Sequence, residues 1–181
     1  MQNLKYADIS YLVMDFDGVM TDDGVYVNES GVEMVRCSRF DGAGINLLKN
    51  ANRLGFTNIE MLILSTEVNH VALTRSLKLG LKCEINVQNK FDFLSQRAIS
   101  ELGISPQEFF DRSIYFGNDL NDYYSMRASR YSFAPDNSHP KIKEVADKVF
   151  PEMGGHGFVR AAIEQLLGAT VIDSLIKEMY A

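Results

Sequence analysis

The stretch Tyr11-Leu12-Val13-Met14-Asp15-Phe16-Asp17-Gly18 decides the fold, because a run of apolar residues leads directly into two acids and a glycine. Short apolar runs that end in turn residues are typical of buried strands in a parallel sheet. Side chains two residues apart in a strand point to the same side, so Asp15 and Asp17 should project together from its carboxyl end. Open α/β sheets bind ligands at that edge. Two carboxylates held so close repel each other, which indicates a site for a cation, a shared proton or both.

Strand and helix patterns alternate along the rest of the chain. Residues 59–64 and 113–116 are predicted to form two more buried strands, and residues 43–54 and 68–79 two helices, each followed by a glycine. This alternation predicts an α/β fold, a Rossmann-like three-layer sandwich with a mostly parallel sheet. We expect residues 1–181 to form a single domain with no large cap domain.

Residues 24–38 are predicted to form a β-hairpin insert, with the turn sequence Asn28-Glu29-Ser30-Gly31 between two short strands. An isolated two-stranded element is marginally stable in water. Apolar side chains on this hairpin should therefore pack against another surface.

Composition excludes several classes of protein. The chain has 181 residues, of which 46% are hydrophobic and 23% charged, as in ordinary globular domains. Its net charge of -6 argues against partners such as nucleic acid or an anionic membrane. The two cysteines provide no disulfide framework, and no apolar run approaches the roughly 20 residues that span a bilayer. The amino terminus lacks the apolar core of a signal peptide, so a cytoplasmic location is expected.

Acids also follow the predicted strand at 113–116, in the sequence Gly117-Asn118-Asp119-Leu120-Asn121-Asp122. Together with Asp15 and Asp17 they form an acidic cluster that cannot attract a phosphate unaided. A hard cation with oxygen ligands, Mg²⁺, resolves this repulsion. Asp122, one helical turn after Asp119, either binds the ion or supports its water ligands. Alternatively, both acids complement a helix dipole.

Ser65 follows the predicted strand at 59–64 and precedes a helix. A hydroxyl group and free backbone N–H groups at such a position can bind a phosphate, although a helix N-cap is the commoner role of such a serine. Lys90, considered alone, is one lysine among many.

The order of these features resembles the four motifs of the haloacid dehalogenase superfamily of phosphohydrolases, which begin with Asp-x-Asp-Gly-x-x-Thr-Asp. The resemblance covers nearly the whole chain. It implies that Asp15 is the nucleophile that forms an aspartyl-phosphate, and that Asp17 is the general acid and then the general base. It also implies that the phosphoryl group and Mg²⁺ have ligands in the later motifs. The phosphate ligands would be Ser65, Thr66 and Lys90, and the Mg²⁺ ligands Asp15, the backbone carbonyl of Asp17, and Asp119.

A narrower resemblance comes from the hairpin, from residues 40–45 and from Gly154-Gly155-His156-Gly157. These are similar to a cap-less branch that contains the 3-deoxy-D-manno-octulosonate 8-phosphate phosphatases and the sialic-acid-type 9-phosphate phosphatases. The branch implies a homotetramer in which a neighbouring subunit covers each active site. Met20 and Asn118 depart from the commoner Leu and Asp of this branch, while Asp119 is retained.

The same branch implies four substrate-binding residues, which are Asp41, Glu67, Arg75 and Lys78. Glu67 with basic residues at 75 and 78 resembles the sialic-type enzymes, which favours a nonulosonic acid 9-phosphate. On one continuous helix, Lys78 would lie about 16 Å beyond Glu67. We therefore expect Glu67 to contact substrate in its own subunit, and Arg75 and Lys78 to reach the site of a neighbour.

The sequence thus predicts a Mg²⁺-dependent phosphomonoesterase that acts on a phosphorylated 2-keto-3-deoxy sugar acid. The alternative within the branch is a 3-deoxy-D-manno-octulosonate 8-phosphate phosphatase. Two alternatives from other classes are a phosphoacceptor signalling domain and a non-catalytic oligomerisation domain. Signalling receivers place the accepting Asp after an earlier acidic pair, whereas the Asp-x-Asp pair comes first here.

Overall fold

A six-stranded parallel sheet forms the centre of the computed structural model, which describes residues 6–180. Its strands are β1 Tyr11–Asp15, β4 Glu60–Leu64, β5 Lys82–Glu84, β6 Ser113–Phe116, β7 Tyr131–Ala134 and β8 Lys148–Val149. They lie in the order β5-β4-β1-β6-β7-β8. Because β1 pairs with β4 on one side and β6 on the other, the chain reverses its winding direction at β1. Ligands bind at such switch points in open α/β sheets.

Helices cover both faces of the sheet and make a three-layer sandwich, as predicted. Their bounds are α1 Arg39–Arg53, α2 Val71–Leu79, α3 Lys90–Ser100, α4 Pro106–Asp111, α5 Tyr123–Ala128, α6 Pro140–Val145, α7 Phe158–Leu167 and α8 Ala169–Tyr180. Alternate strand residues point to opposite faces. Leu12 and Met14 pack on the face that carries α1, α7 and α8. Val13 and Tyr115 pack on the face that carries α3 to α6.

Two predicted helix starts are wrong. Helix α1 begins at Arg39 rather than at residue 43, because the Ser38 hydroxyl accepts hydrogen bonds from the backbone N–H groups of Phe40 and Asp41. Helix α2 begins only at Val71, after a loop in which the Ser65 hydroxyl accepts the Glu67 N–H. Glu67 is therefore not on the same helix as Arg75 and Lys78.

The hairpin is present as strands β2 (Thr21–Val27) and β3 (Glu33–Cys37), which form a separate two-stranded antiparallel sheet. Val25, Val27 and Met34 each expose more than half of their surface. Within residues 6–180 this hairpin is the insertion next to the first acidic motif, and no large cap is seen. No helix in this part of the chain is long and apolar enough to cross a membrane.

Candidate active site

The carboxyl ends of β1, β4 and β6 bring the predicted site residues together. Asp15 is the last residue of β1, Ser65 follows β4, and Asn118 and Asp119 follow β6. Asp15 lies on the same face of the sheet as Val13, towards α3, and Lys90 is the first residue of that helix. Four predicted site residues and one that the sequence did not suggest therefore meet at a single edge.

Lys90 lies between two buried carboxylates. Its Nζ atom is 2.7 Å from Asp15 Oδ1 and 2.8 Å from Asp122 Oδ1, and its side chain is fully buried. Burial alone lowers the pKa of Lys90, but the two carboxylates more than offset this and the net pKa is raised. Burial, followed by the charge of Asp122, raises the pKa of Asp15 well above its ordinary value, against the lowering effect of Lys90. The cluster thus holds one ammonium group opposite two carboxyl groups.

Asp17 occupies a more open position, in a cavity of about 170 Å³. The cavity is lined by Asp15, Asp17, Asp23, Thr66, Glu67, Asn118, Asp119 and Asn121. Partial burial, followed by the charges of Asp23 and Glu67, raises the pKa of Asp17 to about 6. The Ser65 hydroxyl lies 3.5 Å from Asp17 Oδ2. A carboxyl group that titrates near neutral pH can both donate and accept a proton, as a general acid and base must.

Asn118 is a site residue that the sequence reasoning passed over. One of its amide atoms lies 2.9 Å from the carbonyl oxygen of Asp17 and 3.2 Å from Asp15 Oδ2. With its NH₂ group at that point, Asn118 donates a hydrogen bond to both oxygens. Its place directly after Gly117, at the end of the strand, was the signal that could have identified it.

The same geometry tests whether Mg²⁺ fits. Asp15 Oδ2 and the Asp17 carbonyl, two of the three predicted ligands, face one point, and a rotated Asn118 amide would add a third oxygen there. Oxygen donors of this kind suit Mg²⁺. Asp119, the remaining predicted ligand, lines the same cavity and accepts a hydrogen bond from the Leu120 N–H. No three His, Cys, Asp or Glu side chains gather as a metal site within residues 6–180, but the predicted set needs only two carboxylates.

Glycines allow the loop after β1 to pack this closely. Gly18 has φ of +75°, and a Cβ atom there would lie 1.9 Å from one of the two terminal atoms of the Asn118 side-chain amide. On its other side, a Cβ at Gly154 would lie 1.8 Å from the Gly18 carbonyl oxygen, and the Gly155 N–H donates to the Val19 carbonyl at 3.1 Å. The glycine-rich segment 154–157 therefore packs directly against the loop that follows β1.

Asp41, which the sequence predicts to bind substrate, makes its contacts within the chain, and its role towards substrate stays a prediction. Its side chain is fully buried, and its two oxygens accept hydrogen bonds from the backbone N–H groups of Gly157 and Arg160 at 3.2 and 3.1 Å. Asp41 thus joins α1 to the amino end of α7, where a carboxylate complements the helix dipole.

The three remaining predicted substrate residues divide between two cavities. Glu67 lines the catalytic cavity, whereas Arg75 and Lys78 line a cavity of about 750 Å³ between β3 and α2. Arg75 donates through Nη2 to the Ser38 carbonyl of its own chain at 3.2 Å. Lys78 is exposed. Neither basic residue lines the catalytic cavity, and the side chain of Lys78 is the more exposed of the two.

Comparisons with known proteins show which family this chain belongs to. The sequence pattern of the haloacid dehalogenase-like hydrolases matches residues 45–161. The 3-deoxy-D-manno-octulosonate 8-phosphate phosphatase KdsC of Salmonella typhi is 28% identical over 163 residues, which cover 90% of this chain and 81% of that protein. A solved structure of the phosphatase of the same name from Yersinia pestis has a TM-score of 0.80 at 25% identity, covering 95% of this chain and 86% of its own.

A third comparison concerns fold alone. The 3-deoxy-D-manno-octulosonate 8-phosphate phosphatase of Moraxella catarrhalis, solved in complex with a magnesium ion, a phosphate ion and KDO, has a TM-score of 0.84 at 24% identity. The alignment covers 97% of this chain and 95% of that one. Because the family pattern matches well over half of the sequence, this chain belongs to the haloacid dehalogenase-like hydrolase family.

Proposed function

We propose that this protein is a Mg²⁺-dependent phosphomonoesterase that hydrolyses a phosphorylated 2-keto-3-deoxy sugar acid. The observation that carries the proposal is the meeting of Asp15, Asp17 and Lys90 at the switch point of the sheet. Lys90 Nζ lies 2.7 Å from Asp15 Oδ1, and Asp17 lies beside Asp15 in the same cavity. This arrangement combines a nucleophile, a proton donor and a fixed positive charge.

Each step of the proposed hydrolysis is assigned to a side chain of this protein. A carboxylate oxygen of Asp15 attacks phosphorus, and the bond between phosphorus and the ester oxygen breaks. Asp17 donates its proton to the leaving alcohol, then takes a proton from the water that attacks the aspartyl-phosphate. Such a covalent intermediate divides one difficult hydrolysis into two easier displacements. The positive charge of Lys90 offsets the negative charge on the phosphoryl oxygens. The hydroxyl groups of Ser65 and Thr66 bind the same oxygens as hydrogen-bond donors.

Asp15, the Asp17 carbonyl and Asp119 would hold the Mg²⁺ ion, with Asn118 placed to add an amide oxygen. When bound, the ion neutralises charge on the phosphoryl group and orients it. Asp122 is fully buried behind Lys90, so its proposed role is to support Lys90 rather than to bind the ion.

The preferred substrate that we propose is a nonulosonic acid 9-phosphate. Support comes from Glu67 in the catalytic cavity and from an exposed basic residue at 78, the pattern that resembles the sialic-type enzymes. The names of the relatives favour the second candidate, 3-deoxy-D-manno-octulosonate 8-phosphate.

A substrate panel tests the function and decides between the two sugar acids. We expect the specificity constant for a nonulosonic acid 9-phosphate to exceed that for 3-deoxy-D-manno-octulosonate 8-phosphate by at least about tenfold, the scale that one misfitted substrate group costs. The reverse order would assign the eight-carbon substrate. Absence of turnover with every phosphate ester, in the presence of Mg²⁺, would reject the phosphatase proposal.

Replacing Lys78 by Ala tests whether a neighbouring subunit completes the site. We expect KM for the sugar acid phosphate to rise about 10-fold to 100-fold, because a charge-assisted hydrogen bond to the substrate carboxylate is lost. KM for a small ester such as p-nitrophenyl phosphate should stay within about twofold, since that ester has no sugar carboxylate. Steady-state kinetics with both substrates provide the measurement.

Lys177→Ala is the matched control, because Lys177 is also an exposed helical lysine but lies on α8. It should leave both KM values unchanged. Light scattering at micromolar concentration should give the mass of a homotetramer for wild type and both variants, since the exposed apolar hairpin needs a partner. A monomeric wild type, or an equal response of the two substrates to Lys78→Ala, would contradict the neighbour's role.

A further inference from the structure

Tyr115 is a buried residue that lies beneath the active site and takes no part in the proposed mechanism. It is the third residue of β6 and is fully buried among apolar side chains of α3, α4 and α5. A phenylalanine would fill an apolar site of this kind equally well. The tyrosine hydroxyl, however, donates to Asp122 Oδ1 at 2.8 Å.

Asp122 accepts hydrogen bonds on both of its oxygens. Oδ1 receives the Tyr115 hydroxyl and Lys90 Nζ, each at 2.8 Å. Oδ2 receives the backbone N–H groups of Asn118 at 3.0 Å and Asp119 at 3.4 Å. These donors come from β6, from the loop after it and from α3, so the carboxylate connects the acidic loop to the lysine.

The position of Lys90 depends on the balance between its two partners. Its ammonium group is 2.7 Å from Asp15 and 2.8 Å from Asp122. A hydroxyl donor on Asp122 Oδ1 withdraws charge from that oxygen and restricts its movement. Without this donor, Asp122 attracts Lys90 more strongly and both side chains gain freedom to rotate away from Asp15.

We propose that Tyr115 is a positioning residue, which acts through Asp122 to hold the Lys90 ammonium group against the nucleophile Asp15. The proposal rests on the proposed function, because it concerns the phosphoryl group that Lys90 would contact. Contacts that tighten in the transition state affect kcat more than KM. Tyr115 therefore matters for the rate of the chemical step and not for recognition of the sugar.

The first test is Tyr115→Phe, which removes one oxygen atom and keeps the ring. We expect kcat to fall about 10-fold to 100-fold while KM changes less than about threefold, as loss of a hydrogen bond to a charged group predicts. Tyr11→Phe is the matched control, since Tyr11 lies at the amino end of β1, at the opposite edge of the sheet from Asp15. It should leave kcat unchanged, and circular dichroism should show both variants folded at the assay temperature.

A double-mutant cycle separates positioning through Asp122 from a general effect on folding. In an Asp122→Ala background, Tyr115→Phe should change kcat by less than about twofold, because the residue that transmits its effect is gone. Losses that multiply in the double variant, or a wild-type kcat in Tyr115→Phe, would overturn the proposal while leaving the phosphatase function intact. A wild-type protein without any turnover would instead reject the function and, with it, this role.

Discussion

Replacing Asp15 by Asn should reduce kcat by at least about four orders of magnitude, the scale seen when a catalytic nucleophile is removed. An amide cannot form the aspartyl-phosphate, and among the residues that the structure describes the other carboxylate paired with Lys90 is Asp122, which is fully buried. Turnover of p-nitrophenyl phosphate with Mg²⁺ is the measurement.

The fold should survive this change, because the substitution improves the charge balance of the cluster. Burial and Asp122 raise the pKa of Asp15 well above its ordinary value, which means that its ionised form is disfavoured where it stands. In the variant, Lys90 keeps Asp122 as its ion-pair partner, one charge opposite one charge. The free energy of unfolding should therefore equal or exceed that of the wild type.

The control for this variant is Asp111→Asn, at the end of α4 and the opposite edge of the sheet. It makes the same chemical change and should retain full activity. Mass spectrometry of Asp15→Asn must show intact Asn, because deamidation restores the nucleophile. Near-wild-type turnover of an intact variant would contradict the assignment of Asp15.

Removal of divalent cations should lower activity by at least about three orders of magnitude, corresponding to several kcal/mol of charge stabilisation. Asp15, Asp17, Asp119 and Glu67 line the catalytic cavity, and a phosphate dianion adds to their repulsion. Mg²⁺ should restore turnover after treatment with a chelator. Ca²⁺ should inhibit, because its larger and looser ligand shell misplaces the phosphoryl group.

Isothermal titration of the chelated protein with Mg²⁺ measures binding without relying on turnover. Asp119→Asn should weaken this binding if Asp119 is a ligand, and Asp111→Asn should leave it unchanged. Full activity in excess chelator would show that the acidic cluster works without a metal ion.

The sequence by itself determined the fold class, because its signals are local. A buried strand reads as a continuous apolar run, and the ends of helices carry capping residues and glycines. The short edge strands β5 and β8 are not apolar runs, but the central strands β1, β4 and β6 and most of the helices follow these patterns. The starts of α1 and α2 did not, since Ser38 caps the former and the hydroxyl of Ser65 holds the loop before the latter.

The sequence also indicated Asp15, Asp17, Ser65 and Lys90, because the order of the motifs along the chain can be seen without knowledge of the fold. Only the tertiary structure decided their partners. It placed Asp41 in the interior at the amino end of α7, Asn118 against Asp15, and Tyr115 under Asp122. Such contacts join residues from separate helices, strands and loops. The packing of these elements determines which residues are buried and how far apart they lie. A local sequence pattern does not contain that information.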